Sequence, residues 1–294
     1  MSIMDCIKTE NMTLQDGIYY ANNIPDRADI ALYDERMEGL DSLYDTSFWH
    51  NHRTACIIAA TDATRKWSSD CVTGIIDVGG GSGNNVNAFE KAGYDAALFE
   101  PTLTGVICAK KRGVKNIVCG IFDETTIEQE SVPIIGLFDV LEHIEKDDEF
   151  LRNMHPLLKD GGNIIATVPA HMWLWSEKDD GSDHHRRYTL QQLSELFKNN
   201  GYIVTYATYF FSLLMPVQYI TRVLPYKLLR KKHKLSKSNS NKFEKEHNPF
   251  ASNLLLKMLK PEQRCISKLK RIPFGSSVLL IAKKGTISNA NFTT

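Results

Sequence analysis

The chain has 294 residues, of which 43% are hydrophobic and 24% charged, and this composition is that of an ordinary globular protein. It excludes a wholly disordered chain, and the length predicts one large domain or two modest ones. Lys and Arg total 35, as do Asp and Glu, so the formal net charge is zero. Because a protein that holds nucleic acid by its phosphates usually has a basic surplus, we expect no nucleic-acid partner.

Charged residues are distributed unevenly along the chain, whereas the cysteines are scattered. The first 50 residues are acidic, whereas residues 222–245 carry nine bases against one acid. The six cysteines are scattered, with no two closer than eleven residues, which is typical of reduced thiols in a cytoplasmic protein. The N-terminal residues lack a basic region followed by an apolar stretch, so we expect no secretory signal.

The predicted elements alternate along most of the chain. Residues 1–48 are acidic and rich in tyrosine, with weak helical signals over 26–44. A helix is predicted from residue 48 to about 67. Short apolar runs bounded by Gly or Pro then predict strands at 74–80, 94–101, 116–122, 132–141, 163–169, 202–210 and 276–284. Helical periodicity predicts helices at 84–93, 103–112, 146–158 and 189–201.

This alternation predicts a doubly wound α/β sheet with crossover helices on both faces. Residues 212–272 interrupt it with two amphipathic helical segments joined by a polar loop at 233–248. Residues 199–221 carry no charge, but their polar residues and Pro216 predict a strand, a turn and the start of a helix rather than a membrane span. We therefore divide the chain into an N-terminal helical lid region, a core, a helical insertion and a last core strand with a tail, at 1–70, 71–211, 212–275 and 276–294.

The strongest motif is Asp77-Val-Gly79-Gly-Gly81-Ser-Gly83, between the first of these strands and a helix. Glycines let the backbone approach a ligand closely, and the helix N-terminus behind them offers free N–H groups. The dinucleotide pattern G-x-G-x-x-G fails, because Asn84 or Val86 stands where the third glycine belongs. Glu100 ends the next strand, where a carboxylate can accept both hydroxyls of a ribose.

The pattern D-x-G-x-G-x-G resembles that of the class I S-adenosylmethionine-dependent methyltransferases, in their bacterial small-molecule and quinone-type branch. Similar segments follow at 139–143 (DVLEH), 157–162 (LLKDGG) and 184–189 (HHRRYT), and the resemblance covers residues 45–215 and the last strand. It implies a Rossmann-like seven-stranded methyltransferase sheet in the order 3-2-1-4-5-7-6 with the last strand antiparallel. A helical N-terminal lid and a helical insertion before the last strand would surround the acceptor pocket.

The same resemblance implies S-adenosyl-L-methionine as the cofactor and methyl transfer as the reaction. Asp77 would organise the cofactor's ammonium group, and Glu100 would hold its ribose. Asp123 would accept a hydrogen bond from the adenine amino group, beside an apolar neighbour. The residues that we expect at the cofactor are Asp77, Gly79, Gly81, Gly83, Glu100, Phe122, Asp123, Asp139 and Val140.

Histidines are the candidate catalytic groups, because the unperturbed pKa of histidine, about 6.5, suits a general base. We expect His143 first and His184 second in this role, with a capping or core position for His143 as the alternative. No compact histidine spacing is joined to a nearby acid, so we expect no metal. At the acceptor we expect His171, Trp175, Arg186, Arg187 and Tyr188, with loop packing or a salt-bridged turn as the alternative.

The methyl acceptor is only partly constrained by the sequence. No Asn-Pro-Pro-Tyr or Asp-Pro-Pro-Tyr tetrapeptide is present, which weighs against DNA bases, so we favour a small-molecule, sugar or lipid-linked acceptor. An NAD(P)-dependent oxidoreductase or epimerase and a non-catalytic SAM-binding protein are the alternatives. A cytoplasmic enzyme with a soluble insertion competes with peripheral contact at the inner membrane surface through 212–245, although Pro216 and Pro225 argue against a long helix there.

Overall fold

The computed structural model describes residues 2–24, 47–65, 73–230 and 249–285. Within these ranges the strands are β1 (Thr13–Gln15), β2 (Ile18–Tyr20), β3 (Gly74–Val78), β4 (Asp95–Glu100), β5 (Asn116–Cys119), β6 (Val132–Phe138), β7 (Leu158–Pro169), β8 (Tyr202–Phe210) and β9 (Ser277–Lys284). The helices are α1 (Phe48–Arg65), α2 (Asn84–Lys91), α3 (Leu103–Lys111), α4 (Asp147–Met154), α5 (Glu177–Gly181), α6 (Leu190–Asn199), α7 (Met215–Gln218), α8 (Leu224–Arg230) and α9 (Pro249–Ile266).

All of the strands belong to one sheet, in the order β1-β2-β5-β4-β3-β6-β7-β9-β8. Strands β3 to β7 are parallel, and β9 lies antiparallel between β7 and β8. Without β1 and β2, this is the predicted order 3-2-1-4-5-7-6 with an antiparallel last strand. The Rossmann-like methyltransferase sheet is therefore confirmed, and the carboxyl ends of β3 to β8 meet at one edge, where open α/β sheets bind ligands.

The sheet has nine strands rather than the predicted seven, because an N-terminal hairpin extends it. Asp16 and Gly17 form the turn of this hairpin, both with positive φ, and β2 pairs in parallel with β5. Strands of three residues are too short to show an alternating pattern, which is why the sequence did not reveal them. Part of the predicted N-terminal lid region is thus an extension of the sheet, and the weak helical signals over 26–44 lie outside the described residues.

The central strands are buried on both faces, which explains why they appear in the sequence as continuous apolar runs. Alternate side chains enter two hydrophobic clusters. Ile76 and Phe99 belong to one cluster, whereas Ile75 and Leu98 belong to the other. A polar group at the carboxyl end of such a strand is therefore held on a rigid support between two packed layers.

Two boundaries differ from those predicted. Helix α4 ends at Met154, and β7 begins at Leu158, several residues earlier than expected. Gly161 and Gly162, just beyond the predicted helix 146–158, lie inside β7. The pairing of β7 with β6 shifts register between Val132 and Ile134 there, so the glycines serve an irregularity in the strand rather than a helix end.

The insertion contains two helical segments, as predicted, but the expected break at Pro225 is wrong. Helix α7, a π-helical turn (Tyr219–Val223) and α8 follow one another without a gap, and we call this unit the amphipathic helix (residues 215–230). The π turn precedes Pro225 and widens the helix, which makes room for a ring that a regular α-helix would not accept. The predicted polar loop at 233–248 lies outside the described residues. Among the described helices, none is long and apolar enough to cross a membrane.

Candidate cofactor and acceptor site

The glycine motif forms a tight turn between β3 and α2. Gly79, Gly81 and Gly83 all have positive φ, of 69°, 56° and 72°. A β-carbon on Gly80 would lie 2.5 Å from Oδ2 of Asp77, and one on Gly83 would lie 2.9 Å from the side chain of Val114. The turn therefore leaves no room for side chains at these two positions and presents backbone to the edge of the sheet.

Asp77 is a buried carboxylate beneath this turn. Only 1% of the residue is exposed, and neither carboxylate oxygen has a hydrogen-bond partner among the residues that the structure describes. Burial raises the pKa of Asp77 to about 7, against the opposing effects of the Arg53 charge and of the Asn85 side chain, which lies near but forms no well-aligned hydrogen bond. An unpartnered buried carboxylate is costly, so this position favours a ligand that brings a cation or N–H donors.

Glu100 holds the glycine turn from the neighbouring strand. Its Oε2 accepts the N–H of Gly81 at 2.8 Å, and its Oε1 accepts the N–H and hydroxyl of Thr102 at 3.0 and 2.6 Å. The residue is buried. In this structure Glu100 therefore orders the loop, and its predicted contact with a ribose stays a prediction.

Asp139 and Val140 follow β6, and Val140 lies against the glycine turn; their predicted contact with the cofactor stays a prediction. A β-carbon on Gly79 would lie 3.2 Å from Cγ2 of Val140. Asp139 has a φ of 59°, its N–H donates to the carbonyl oxygen of Thr167 at 2.9 Å, and its Oδ1 accepts the Thr167 hydroxyl at 2.9 Å. This left-handed backbone, rare outside glycine, fixes the carboxylate at the strand end.

Arg53 of α1, the helix that the sequence predicts from residue 48, completes this group. Its Nη1 pairs with Oδ2 of Asp139. The same guanidinium lowers the pKa of Asp77 and of Glu142, and Arg187 also lowers that of Glu142. The sequence contains the residue on a predicted helix, but periodicity alone does not show where that helix docks.

Phe122 and Asp123 lie after β5. Phe122 is buried, with its ring edge-on to Phe99 at a centroid distance of 5.2 Å. Asp123 accepts the N–H and hydroxyl of Thr125 at 2.8 and 2.6 Å, and Asn23 donates to its other oxygen at 3.0 Å. Asp123 thus joins the loop to the N-terminal segment, and its role at an adenine ring stays a prediction.

His143 and His184 lie together, although 41 residues separate them. Their ring centroids are 4.8 Å apart, nearly at a right angle. Burial, followed by the nearby His184, lowers the pKa of His143 to about 4. Nδ1 of His184 lies 2.9 Å from Oδ1 of Asp179. The neighbouring Glu142 is buried, and burial and then Asp139 raise its pKa well above the ordinary value. At neutral pH His143 is therefore uncharged.

Most of the residues expected at the acceptor form hydrogen bonds or ion pairs with other residues of the protein. Arg187 donates from Nε and Nη2 to the two oxygens of Asp179, at 2.7 and 3.0 Å. Nη1 of Arg186 lies 2.8 Å from Oδ2 of Asp147, to which the buried Tyr188 hydroxyl also donates at 2.7 Å. The salt-bridged turn, weighed earlier as the alternative, is the arrangement present, and acceptor binding by these three residues stays a prediction.

Asp179 is the acid that organises this turn, and sequence reasoning missed it. Burial alone would raise its pKa, but hydrogen bonds from His184 and Arg187 outweigh burial and hold the pKa below its ordinary value. A usable signal was present, because Ser176 and Asp179 have the spacing of a capping box, which the structure contains at the start of α5.

His171 and Trp175 lie on the loop after β7. His171 has a φ of 61°, and its ring stacks on those of Tyr209 and Trp173, with centroids 4.9 and 5.6 Å away. Nε1 of Trp175 donates to Asp180 at 2.8 Å. This loop lies at the carboxyl edge of the sheet, next to the turn that carries Arg187.

Among the residues that the structure describes, two groups of side chains have potential metal-ligand atoms within 4.8 Å of one another, namely Glu142 with His143 and His184, and His52 with Cys56 and Glu262. In the second, Nε2 of His52 lies 2.8 Å from Glu262, which also accepts backbone N–H groups of Phe211 and Ser212. Hydrogen bonds already account for that cluster. The expected absence of a metal stays a prediction.

Comparison with known proteins identifies the family. A family model described as a methyltransferase domain matches residues 49–207, more than half of the chain. The chain belongs to the methyltransferase domain family. It is an S-adenosylmethionine-dependent methyltransferase, and its cofactor is S-adenosylmethionine. This membership favours methyl transfer over the oxidoreductase alternative weighed from the sequence.

Individual relatives of this methyltransferase are distant. A ubiquinone biosynthesis O-methyltransferase of Bradyrhizobium sp. (strain ORS 278) is 26% identical over 112 residues, which are 36% of this chain and 44% of that relative. The matching region therefore spans less than half of the relative's length. A chain from a complex of the Haloferax volcanii Trm112 methyltransferase activator with a methyltransferase has a TM-score of 0.52 at 11% identity, and covers 90% of this chain and 100% of its own. A SAM-dependent methyltransferase from Archaeoglobus fulgidus has a TM-score of 0.47 at 13% identity, with 77% and 93% covered. The likeness to the Haloferax volcanii chain concerns the fold alone.

The site of the methyltransferase fits its cofactor on two observations. The unpartnered carboxylate of Asp77 suits the ammonium group of the amino-acid end. The glycine turn beside it, with Gly79, Gly81 and Gly83 at positive φ, presents backbone rather than side chains at the same strand end. Both features belong to one strand end, so they would act on the same part of the ligand.

Proposed function

We propose that this methyltransferase moves the methyl group of S-adenosylmethionine to an oxygen or nitrogen nucleophile of a small-molecule, sugar or lipid-linked acceptor. The observation that supports this most directly is the His143–His184 pair next to Asp139, at the same sheet edge as the glycine turn. A relative concerned with O-methylation in ubiquinone biosynthesis is in keeping with an oxygen nucleophile.

The residues proposed to hold the cofactor are the nine expected from the sequence, and the cofactor supplies a methyl carbon that its sulfonium already activates. Asp77 would take the ammonium group, which provides the donors that its buried oxygens lack. Glu100 would keep the turn closed through the N–H of Gly81 while it accepts from the ribose. The bond between the nucleophile and the methyl carbon forms as the carbon–sulfur bond breaks, and the protein's main task is alignment.

His143 is the proposed proton acceptor. Because its pKa is about 4, its ring is neutral near pH 7 and has a free lone pair for the proton of the nucleophile. Asp179 would act as a positioning residue, since it fixes His184, which in turn lies against the ring of His143. The three residues come from two chain segments that β6 and β7 hold at one edge.

The acceptor would enter beside the loop that carries His171 and Trp175 and the turn of Arg186, Arg187 and Tyr188. These two segments are joined, because the N–H of His171 donates to the carbonyl oxygen of Tyr188 at 2.9 Å. The localisation that we propose is cytoplasmic, with peripheral membrane contact through residues 212–245.

The test is a transfer assay with methyl-labelled S-adenosylmethionine and panels of soluble phenols, amines and sugars, and of polar lipids from a bacterial extract. Label in a product and release of S-adenosylhomocysteine are expected with at least one panel. Gly81→Val should abolish cofactor binding in calorimetry, since this residue adopts positive φ, whereas Gly181→Val should retain it, since a β-carbon there meets nothing within 4 Å. Unchanged affinity in Gly81→Val would contradict the proposed cofactor site.

A further inference from the structure

The amphipathic helix (residues 215–230) presents apolar side chains to solvent. Leu213 just before it and four residues on it, each 40–62% exposed, form what we call the apolar stripe: Leu213, Val217, Ile220, Leu224 and Leu228. Their spacing of three or four residues places them on one face of a helix. A face of large apolar side chains in water marks an interaction surface.

The opposite face of this helix is already engaged. Leu214 and Val223 are buried, and the hydroxyl of Tyr226 donates to Asp180. Nζ of Lys227 donates to the carbonyl oxygen of Trp173 at 3.0 Å. The helix is therefore fixed to the body of the protein through its inner side, and the apolar stripe is not a core face that has been left unpacked.

The basic residues near the apolar stripe indicate an anionic partner. Arg222 lies on the helix, and Lys231, Lys232 and Lys234 follow it in the sequence, while residues 222–245 contain Glu244 as their single acid. Apolar residues along one helix face with bases beside them are typical of a helix that lies in the plane of an anionic bilayer. We propose that this face docks on an anionic phospholipid surface.

The neighbouring loop strengthens this assignment. Trp173 and Met172 are about half exposed, and the Trp173 ring meets that of Tyr219 edge-on at a centroid distance of 5.7 Å. Tryptophan prefers the interface between water and lipid. This loop also carries His171, so docking would bring the carboxyl edge of the sheet close to the membrane and give the enzyme access to an acceptor held in lipid.

Vesicle flotation tests the proposal, with vesicles of phosphatidylcholine and phosphatidylglycerol in a two-to-one ratio and vesicles of phosphatidylcholine alone. The protein should float with the anionic vesicles and much less with the neutral ones. Ile220→Glu/Leu228→Glu should lower the partition coefficient at least about tenfold, because it removes apolar contact and adds negative charge. Leu14→Glu, at a leucine that is 58% exposed on the distant strand β1, is the matched control and should float like the unchanged protein.

A second measurement does not depend on the charged variants. Tryptophan placed at the stripe by Ile220→Trp should be quenched by brominated lipid, whereas Leu14→Trp should add no quenching. Three results would each overturn the proposal. The protein could fail to float with anionic vesicles at low salt, or the doubly charged variant could float as well as the unchanged protein. The protein could also form a dimer that covers the apolar stripe and does not bind vesicles. The inference goes beyond methyl transfer, and vesicle binding needs no acceptor, so its failure would leave the proposed reaction untouched.

Discussion

Arg53, on the first long helix, pairs with Asp139 at the end of the fourth core strand, 86 residues further along the chain. This pair places a single guanidinium among three acids of the site, because Arg53 also lowers the pKa of Asp77 and of Glu142. Arg53 therefore favours the ionised forms of Asp77 and Glu142, against the larger effect of their burial. In the proposed cofactor site, the ammonium group would bring a further positive charge to Asp77.

Substitution of Arg53 should change the pH dependence of cofactor binding. Asp77 has a pKa of about 7, so affinity for S-adenosylhomocysteine, which carries the same ammonium group, should rise as pH increases through 7 and Asp77 ionises. Arg53→Gln should move that rise to higher pH, since Arg53 lowers this pKa. Calorimetric titrations with S-adenosylhomocysteine at several pH values between 6 and 8 would measure the shift. Arg152→Gln, at an exposed ion pair with Asp148, is the control, and an unmoved rise in Arg53→Gln would refute the argument.

Asp77 should make the cofactor-free protein less stable as pH rises. Its pKa is higher in the folded protein than the ordinary 3.8, so its stabilising contribution is complete below about pH 4 and is lost as pH rises through about 7. The full loss is on the order of 4 kcal/mol. Asp77→Asn should therefore melt at a higher temperature than the unchanged protein at pH 8, with a smaller difference at pH 5, and should bind S-adenosylhomocysteine more weakly. Equal melting temperatures at pH 8 would count against a buried, unpartnered carboxylate.

Loss of His143 should affect catalysis rather than binding. His143→Gln should lower kcat by about 10²–10⁴-fold while cofactor affinity stays nearly constant. In the unchanged enzyme the rate should fall as pH decreases through about 4, where His143 becomes protonated. His155→Gln, whose imidazole bonds the carbonyl of Gly285 instead, should keep its kcat. A defect confined to folding or to cofactor binding would favour a structural role for His143.

The hydrogen bonds of Glu262 should be the main stabilising interactions between the insertion and the core. It bonds His52 on α1 and the backbone of Phe211 and Ser212, and Glu262→Ala should lower the free energy of unfolding by about 3–5 kcal/mol. Burial would raise its pKa, but these bonds outweigh burial and lower it. Its stabilisation is therefore present above the ordinary value of 4.5 and is lost as pH falls through the lower folded value.

Denaturant unfolding at pH 7 and at acid pH would measure this effect. The exposed Glu149, which pairs with Lys146 at 3.4 Å, supplies the control, and Glu149→Ala should change stability by no more than about 1 kcal/mol. Equal losses of unfolding free energy in the two variants would show that Glu262 does not stabilise the contact between the insertion and the core.

The sequence revealed those parts of the fold that local patterns determine. Buried parallel strands appear as apolar runs, and the turn around Gly79 and Gly81 needs residues that tolerate positive φ, so both were predictable. The pairing of Arg53 with Asp139 was not, because it depends on how α1 docks, and docking is a property of packing rather than of periodicity. For a similar reason the sequence did not show that the helix continues through Pro225, because the π turn before this residue accommodates its ring.

The N-terminal hairpin has a consequence for how the protein is made. Strand β2 completes its pairing only with β5, whose Val118 and Cys119 are translated about a hundred residues after their partners Tyr19 and Tyr20. At about 5–20 residues per second, the hairpin waits roughly 5–20 seconds on the ribosome with Ile18 and its outer hydrogen-bonding groups uncovered. Strands β1 and β2 therefore join the sheet only after β5 has been made, although they precede β3 and β4 in the sequence.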